Sequence, residues 1–96
     1  NTWLSRGDLL IKLGEPEAAI YNFEQAAEFY PENAELEYRL AGLFFILNET
    51  DKGTFHLKNG LKYNAEYSFI MDELFPEVCN KKQVKKLLNT NQKEGL

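Results

Sequence analysis

The chain falls on itself at one offset, thirty-four residues, and that spacing constrains its fold more than any other feature. Gly7 lands on Ala41, Leu10 on Phe44, Leu13 on Leu47 and Gly14 on Asn48; Ala19 lands on Gly53, Phe23 on Leu57, Ala26 on Gly60 and Pro31 on Ala65. Each pair is read as keeping its size class, small on small and large apolar on large apolar, and the cap pair Gly14 and Asn48 as keeping its backbone role. Gly14 and Asn48 are the two residue types that best tolerate the left-handed conformation ending a helix. A repeat of this length is one supersecondary unit that cannot bury both faces alone, so units must stack and share a core.

Within each unit the apolar period is helical. Trp3, Gly7, Leu10 and Leu13 fall four and three apart, as do Ala19, Phe23, Ala26 and Tyr30, and Leu36, Leu40, Phe44 and Leu47. Gly14 and Pro16 close one helix and open the next, and Pro31 closes the second. A third helix is expected over about 33–47. A fourth, opened by Thr50 or Asp51 as N-cap, turns Gly53, Leu57, Gly60 and Leu61 inward. A fifth runs from about Ala65 to Phe75, where Pro76 interrupts. A sixth, about Lys81 to Leu88, carries Val84, Leu87 and Leu88 on one side and lysines on the other. Sustained period-two alternation, the mark of strands, is missing. The expected fold is all-α, a set of antiparallel hairpins: repeat one over about 1–33, repeat two over about 34–67, a capping hairpin over about 68–89, and a polar, frayed tail over 90–96. The missing initial Met points to a processed product or a segment of a longer repeat protein.

The physical reason for the small positions is close approach, because two helices come near only where one presents little side chain. These residues carry a resemblance to the tetratricopeptide repeat family. The first repeat has Trp3, Gly7, Ala19, Phe23, Ala26 and Pro31 at the family spacing, with Arg6 and Leu10 departing from it. The second has Leu40, Ala41, Gly53, Leu57 and Gly60, with Glu37 in place of Trp and Ala65 in place of Pro. The third segment follows by topology only. The resemblance implies a right-handed α-α superhelix whose first helices line a concave groove. It implies a protein-interaction role without catalysis.

The groove residues so implied are Leu4, Asp8, Ile11 and Lys12 in repeat one, and Glu35, Tyr38, Gly42, Phe45 and Ile46 in repeat two. Tyr38, Gly42 and Phe45 form a stripe in which Gly42 leaves a gap between two aromatics, the shape of a slot for a partner side chain. The same stripe can equally pack against the neighbouring repeat. Family members that hold a chaperone's C-terminal carboxylate use Lys and Asn where this chain has Leu4 and Asp8, and Asp72 stands where a base is wanted. An apolar or basic peptide or helix fits such a groove better. The alternative function is structural: the C-terminal part of a longer array, stacking on upstream repeats or on its own copy.

Charge supports a protein partner. Fourteen of the fifteen acids but only six of the eleven Lys and Arg lie in residues 1–80, and five Lys with one acid lie in 81–96. An acidic body disfavours phosphate backbones, and the lysines read as the solvated face of a terminal helix. The longest apolar run, Leu43 to Leu47, is far too short to cross a membrane. His56, the only histidine, has no second ligand in sequence and reads as a surface residue. The single Cys79 excludes an internal disulfide and favours the cytoplasm; Lys81 and Lys82 are expected to lower its pKa. Glu24 with Glu28, and Glu73 with Glu77, read as solvent-facing rather than as acid–base pairs. No cofactor or metal site is expected.

Overall fold

The computed structural model describes residues 2–94, with side-chain surroundings for residues 2–89. The described residues are helical throughout, without a strand: α1 (Thr2–Lys12), α2 (Pro16–Phe29), α3 (Ala34–Ile46) and α4 (Thr50–Asn64) are followed by a 3-10 turn (Ala65–Ser68), α5 (Phe69–Leu74), α6 (Pro76–Cys79) and α7 (Lys82–Glu94). α1 packs on α2, α2 on α3 and α3 on α4, so α3 is sandwiched between hairpins, while α5 and α6 lie against α3 and α7 against α4. The whole measures 35 × 25 × 21 Å.

The helix ends repeat as faithfully as the helix faces. Gly14 (φ 74) and Asn48 (φ 62) both adopt the left-handed conformation. At the first, Gly14 N–H donates to the Ile11 carbonyl and Glu15 N–H to the Leu10 carbonyl, at 3.1 and 2.9 Å. At the second, Asn48 N–H donates to Phe45 and Glu49 N–H to Phe44, at 3.0 and 2.9 Å. These two bonds are the Schellman pattern, which satisfies carbonyls the helix itself leaves bare. Pro16 occupies the first turn of α2, where a missing N–H costs nothing. Asn33 caps α3, its side chain accepting from Leu36 N–H at 3.2 Å.

Two helix boundaries and the tail differ from expectation, while the interruption at Pro76 holds. α4 is preceded by Glu49 without a side-chain cap bond; neither Thr50 nor Asp51 caps it. The fifth helix is broken into a 3-10 turn and α5, because Asn64 goes extended (φ -162, ψ 98) and its side chain holds Glu66 N–H at 3.0 Å. Phe75 (φ -134, ψ 56) leaves helical angles, as a residue before proline must, and Pro76 starts α6. α7 continues to Glu94, so helix covers most of the expected frayed tail; Gly95 and Leu96 lie outside the described residues.

The core joins all three segments. Phe23, Leu36, Tyr38, Leu40, Leu43, Phe45, Leu57, Met71, Phe75 and Val84 are buried within one cluster. The inward residues expected of α4 hold, with Gly53, Leu57 and Gly60 buried and Leu61 half-buried. The ends of two expected stripes do not: Leu13 and Tyr30 are exposed.

Candidate functional site

The glycines set the geometry of the expected groove. A Cβ on Gly7 would meet the Phe23 ring at 2.1 Å, and one on Gly53 the Phe45 ring at 2.8 Å. One on Gly60 would meet Tyr38 at 2.9 Å, and one on Gly42 the Phe75 ring at 2.2 Å. Every one of these glycines is therefore roofed by an aromatic ring of the chain itself, at distances no alanine would permit without movement.

This corrects the groove. Tyr38 and Phe45 do not line an open trough: they are 0% and 1% exposed, lying between α3 and α4 because Gly60 and Gly53 let the two helices close on their rings. The gap at Gly42 is real, and Phe75 fills it. Phe45 is buried, but against α4 of its own hairpin rather than against the neighbouring repeat, and Ile46 is 46% exposed. Leu4 and Ile11 are half-buried and pack against the core cluster. Tyr38 and Phe45 thus pack within their own hairpin, against α4, while Gly42 between them meets Phe75 of the third segment.

Asp8 is also engaged. Its Oδ1 accepts from Arg39 Nε at 2.7 Å and its Oδ2 from Arg39 Nη2 at 3.0 Å, while Arg39 Nη1 donates to the Glu35 carbonyl at 3.0 Å. This fork matches a planar guanidinium to a planar carboxylate, the strongest pairing two side chains make. It ties α1 to α3. Arg39 is 8% exposed and was not singled out from the sequence; an arginine on a predicted inward helix face opposite an unpaired acid was the available signal.

Of the expected groove residues, Lys12 remains exposed and Glu35 half-buried. Glu35 lies at a shallow recess of about 210 Å³ whose other walls include Glu32, Asn33, Tyr63, Asn64 and Tyr67. Two carboxylates and two tyrosines there offer negative charge and aromatic faces, which suit a cationic or apolar side chain. Tyr38 backs this corner: its hydroxyl donates to the Asn64 carbonyl at 2.8 Å, and burial pushes its pKa up to about 12.

His56 is not a free surface residue. Its Nδ1 lies 2.7 Å from Glu37 Oε1, its ring stacks on Phe44 at 5.4 Å, and Asn59 Nδ2 donates to the same Glu37 oxygen at 3.2 Å. Glu37 sits thirty-four residues after Trp3, and His56 thirty-four after Asn22, whose Nδ2 donates to the Trp3 carbonyl at 2.9 Å. The second hairpin thus replaces an indole by a carboxylate and supplies polar partners for it. The Cys79 pKa is raised to about 11, by burial first and then by the hydrogen bond and charge of Asp72; the expected lowering by Lys81 and Lys82 is overturned. Glu24, Glu28, Glu73 and Glu77 face solvent. Among the described residues no cluster of His, Cys, Asp and Glu could hold a metal, and no helix is long and apolar enough to cross a membrane.

Comparison with known proteins gives a partial likeness. Over 56 residues, 58% of this chain, it is 32% identical to the Protein CTR9 homolog of Arabidopsis thaliana, which contains tetratricopeptide repeats. The chain spans only 5% of that relative's length. No protein-family profile matches the chain, and no solved structure matches it.

Proposed function

We propose that this chain is a non-catalytic segment of a protein-interaction scaffold, built as a right-handed superhelical stack of tetratricopeptide-like hairpins. The observation that carries this reading is recurrence at a thirty-four-residue interval: the left-handed ends at Gly14 and Asn48 are closed by the same pair of backbone bonds, and the small pairs Gly7 and Ala41, Ala19 and Gly53, and Ala26 and Gly60 are all buried. The likeness to a tetratricopeptide-containing relative supports it.

In this reading the partner is a protein: a basic or apolar peptide or helix, held along the concave side. The open surface there is above all Glu35 with its recess. Leu4, Ile11, Tyr38, Gly42 and Phe45 act beneath that surface, fixing where Glu35 and the tyrosines stand. A cationic side chain entering the recess gains a carboxylate and an aromatic face together.

Selection of peptides from a random displayed library against the whole chain tests this. The expected outcome is enrichment of sequences with Lys or Arg beside apolar residues, weakened at least ten-fold by Glu35→Lys and by Tyr67→Ala, with helical content unchanged. Selected peptides whose binding ignores both substitutions would sink the recess as the site.

A further inference from the structure

A second face of α1 lies nearly opposite Leu4 and Ile11 and plays no part in the recess at Glu35. Thr2, Arg6, Leu9 and Leu13 fall four, three and four apart, and all four are exposed, Leu9 by 56% and Leu13 by 65%. The same register thirty-four residues on is Leu36, Leu40, Leu43 and Leu47. There the first three are 3%, 2% and 1% exposed, on a helix sandwiched between α2 and α4. The chain therefore shows what a neighbouring helix does to this stripe: it buries it. On α1 that neighbour is missing among the described residues.

We propose that the Thr2–Arg6–Leu9–Leu13 stripe is a docking face for an amphipathic helix of a partner protein, one whose apolar ridge is flanked by carboxylates. The internal example supplies the apolar part. α2, the helix that packs on α3 from this side, carries Glu17, Glu24 and Glu28 and no Lys or Arg. The substitutions along the stripe supply the charge. Where α3 has Leu40, α1 has exposed Arg6, and exposed Lys12 stands at the other end beside Leu13. The one acid within α1, Asp8, is bound by Arg39 and does not offset these cations.

Charge and polarity together select the occupant. A permanently stacked hairpin would bury Arg6 and Thr2 where α3 offers leucines, a poor fit for an obligate interface, which is the more apolar kind. A second copy presenting α7 would bring its exposed lysines against Arg6 and Lys12. A partner helix that meets Leu9 and Leu13 with apolar side chains and Arg6 with a carboxylate fits both halves of the stripe.

The test uses the whole chain and a stapled fourteen-residue helix, stapled because a free peptide of that length is barely helical in water. Its apolar ridge carries Glu flanks, and a twin peptide carries Lys flanks. Fluorescence anisotropy is expected to show saturable binding of the Glu peptide, weakened by added salt and at least ten-fold by Leu9→Lys or Leu13→Lys. Arg6→Glu is expected to transfer preference to the Lys twin. All three substitutions are at exposed positions, so circular dichroism stays unchanged. Absence of saturable binding, or binding that these variants leave intact, overturns the proposal. So does a concentration-dependent dimer in sedimentation that Leu9→Lys dissolves, which would make a second copy the occupant. If the free helix fails and only residues 15–34, fused ahead of Asn1, shield Leu9, the face belongs to a preceding hairpin and the proposal also falls.

Discussion

The two hairpins are built on one register and end in different surroundings. In both, small residues at matching places on the facing helices are buried and a left-handed residue closes the first helix through the same pair of backbone bonds. Yet Leu43 is 1% exposed and Leu9 56%, and the core position that holds Trp3 in one holds Glu37 in the other. The second hairpin is enclosed, with α2 on one side of α3 and Phe75 on the other. Among the described residues the first has only one neighbour. Equivalent residues in a repeat therefore do not have equivalent energies: each side chain's contribution depends on how many units flank it.

The enclosed hairpin should suffer most from losing its neighbours' side chains. Phe75→Ala removes the ring that covers Gly42 and leaves a cavity between the third segment and α3. It is expected to cost about 4 kcal/mol, read as a lower denaturation midpoint at unchanged slope. Leu43→Ala should cost about 3 kcal/mol. Phe29→Ala in the first hairpin, at a side chain 69% exposed, should stay within about 0.5 kcal/mol. If Phe75→Ala proves as mild as Phe29→Ala, the third segment is not a wall of the second hairpin and the comparison fails.

The joint between the hairpins is the next place to press. Asp8→Ala leaves the Arg39 guanidinium nearly buried with no carboxylate, and breaking a buried pair from one side costs about 3 kcal/mol. Replacing both residues by apolar ones of similar size should recover much of that loss, because the remaining charge is what is costly. Chemical denaturation of Asp8→Ala, Arg39→Ala and the double variant closes the cycle. Single losses that simply add up in the double variant would mean that the fork does not couple α1 to α3.

Alkaline pH presses on the enclosed hairpin and on the third segment that covers it. The Tyr38 hydroxyl titrates at about 12 in the folded chain against an ordinary 10.0. Below pH 10 it is protonated in both states and its contribution is fully present. From pH 10 upward the unfolded chain ionises first, so stability falls until pH passes about 12. The total loss is about 2 to 3 kcal/mol, since one pKa unit is worth about 1.4. Cys79 adds a loss of the same sign between pH 9.0 and about 11. Tyr38→Phe should abolish the upper part of this window and Cys79→Ala the lower. A stability curve that stays flat above pH 10 in the unaltered chain would contradict the burial of Tyr38.

Much of this fold was legible in the chain because its signals are local. Gly14, Pro16, Asn48 and Pro76 mark helix ends by backbone constraint alone, and the small residues at 7, 53 and 60 announce close approach wherever the helices lie. The groove was less legible. A side chain such as Tyr38 reads as exposed when only its own helix is considered. Its burial depends on Gly60, twenty-two residues away, letting α4 come near. Gly42 was rightly read as a gap, but its occupant, Phe75, comes from the segment where the repeat pattern fails. Arg39 goes unnoticed in the sequence and His56 reads as a surface residue for the same reason, since their partners Asp8 and Glu37 lie on other helices. Chemistry that depends on two segments meeting is not written in the period of either one.

The smallest expected effect is the most discriminating for the comparison. Leu9→Ala removes the same atoms as Leu43→Ala from the same register, so any difference in cost comes from the neighbour alone. Because Leu9 is more than half exposed, little apolar area leaves water when it folds, and alanine is the better helix former. The substitution is expected to change stability by less than about 0.5 kcal/mol, against about 3 for its counterpart. The measurement gains force when repeated with the Glu-flanked helix bound. If the helix sits on the stripe, its stabilisation of the unaltered chain should rise with its concentration, while Leu9→Ala should blunt that rise without moving the unliganded midpoint. A Leu9→Ala cost near 3 kcal/mol in the free chain would mean that the first hairpin already has the second neighbour its exposure denies.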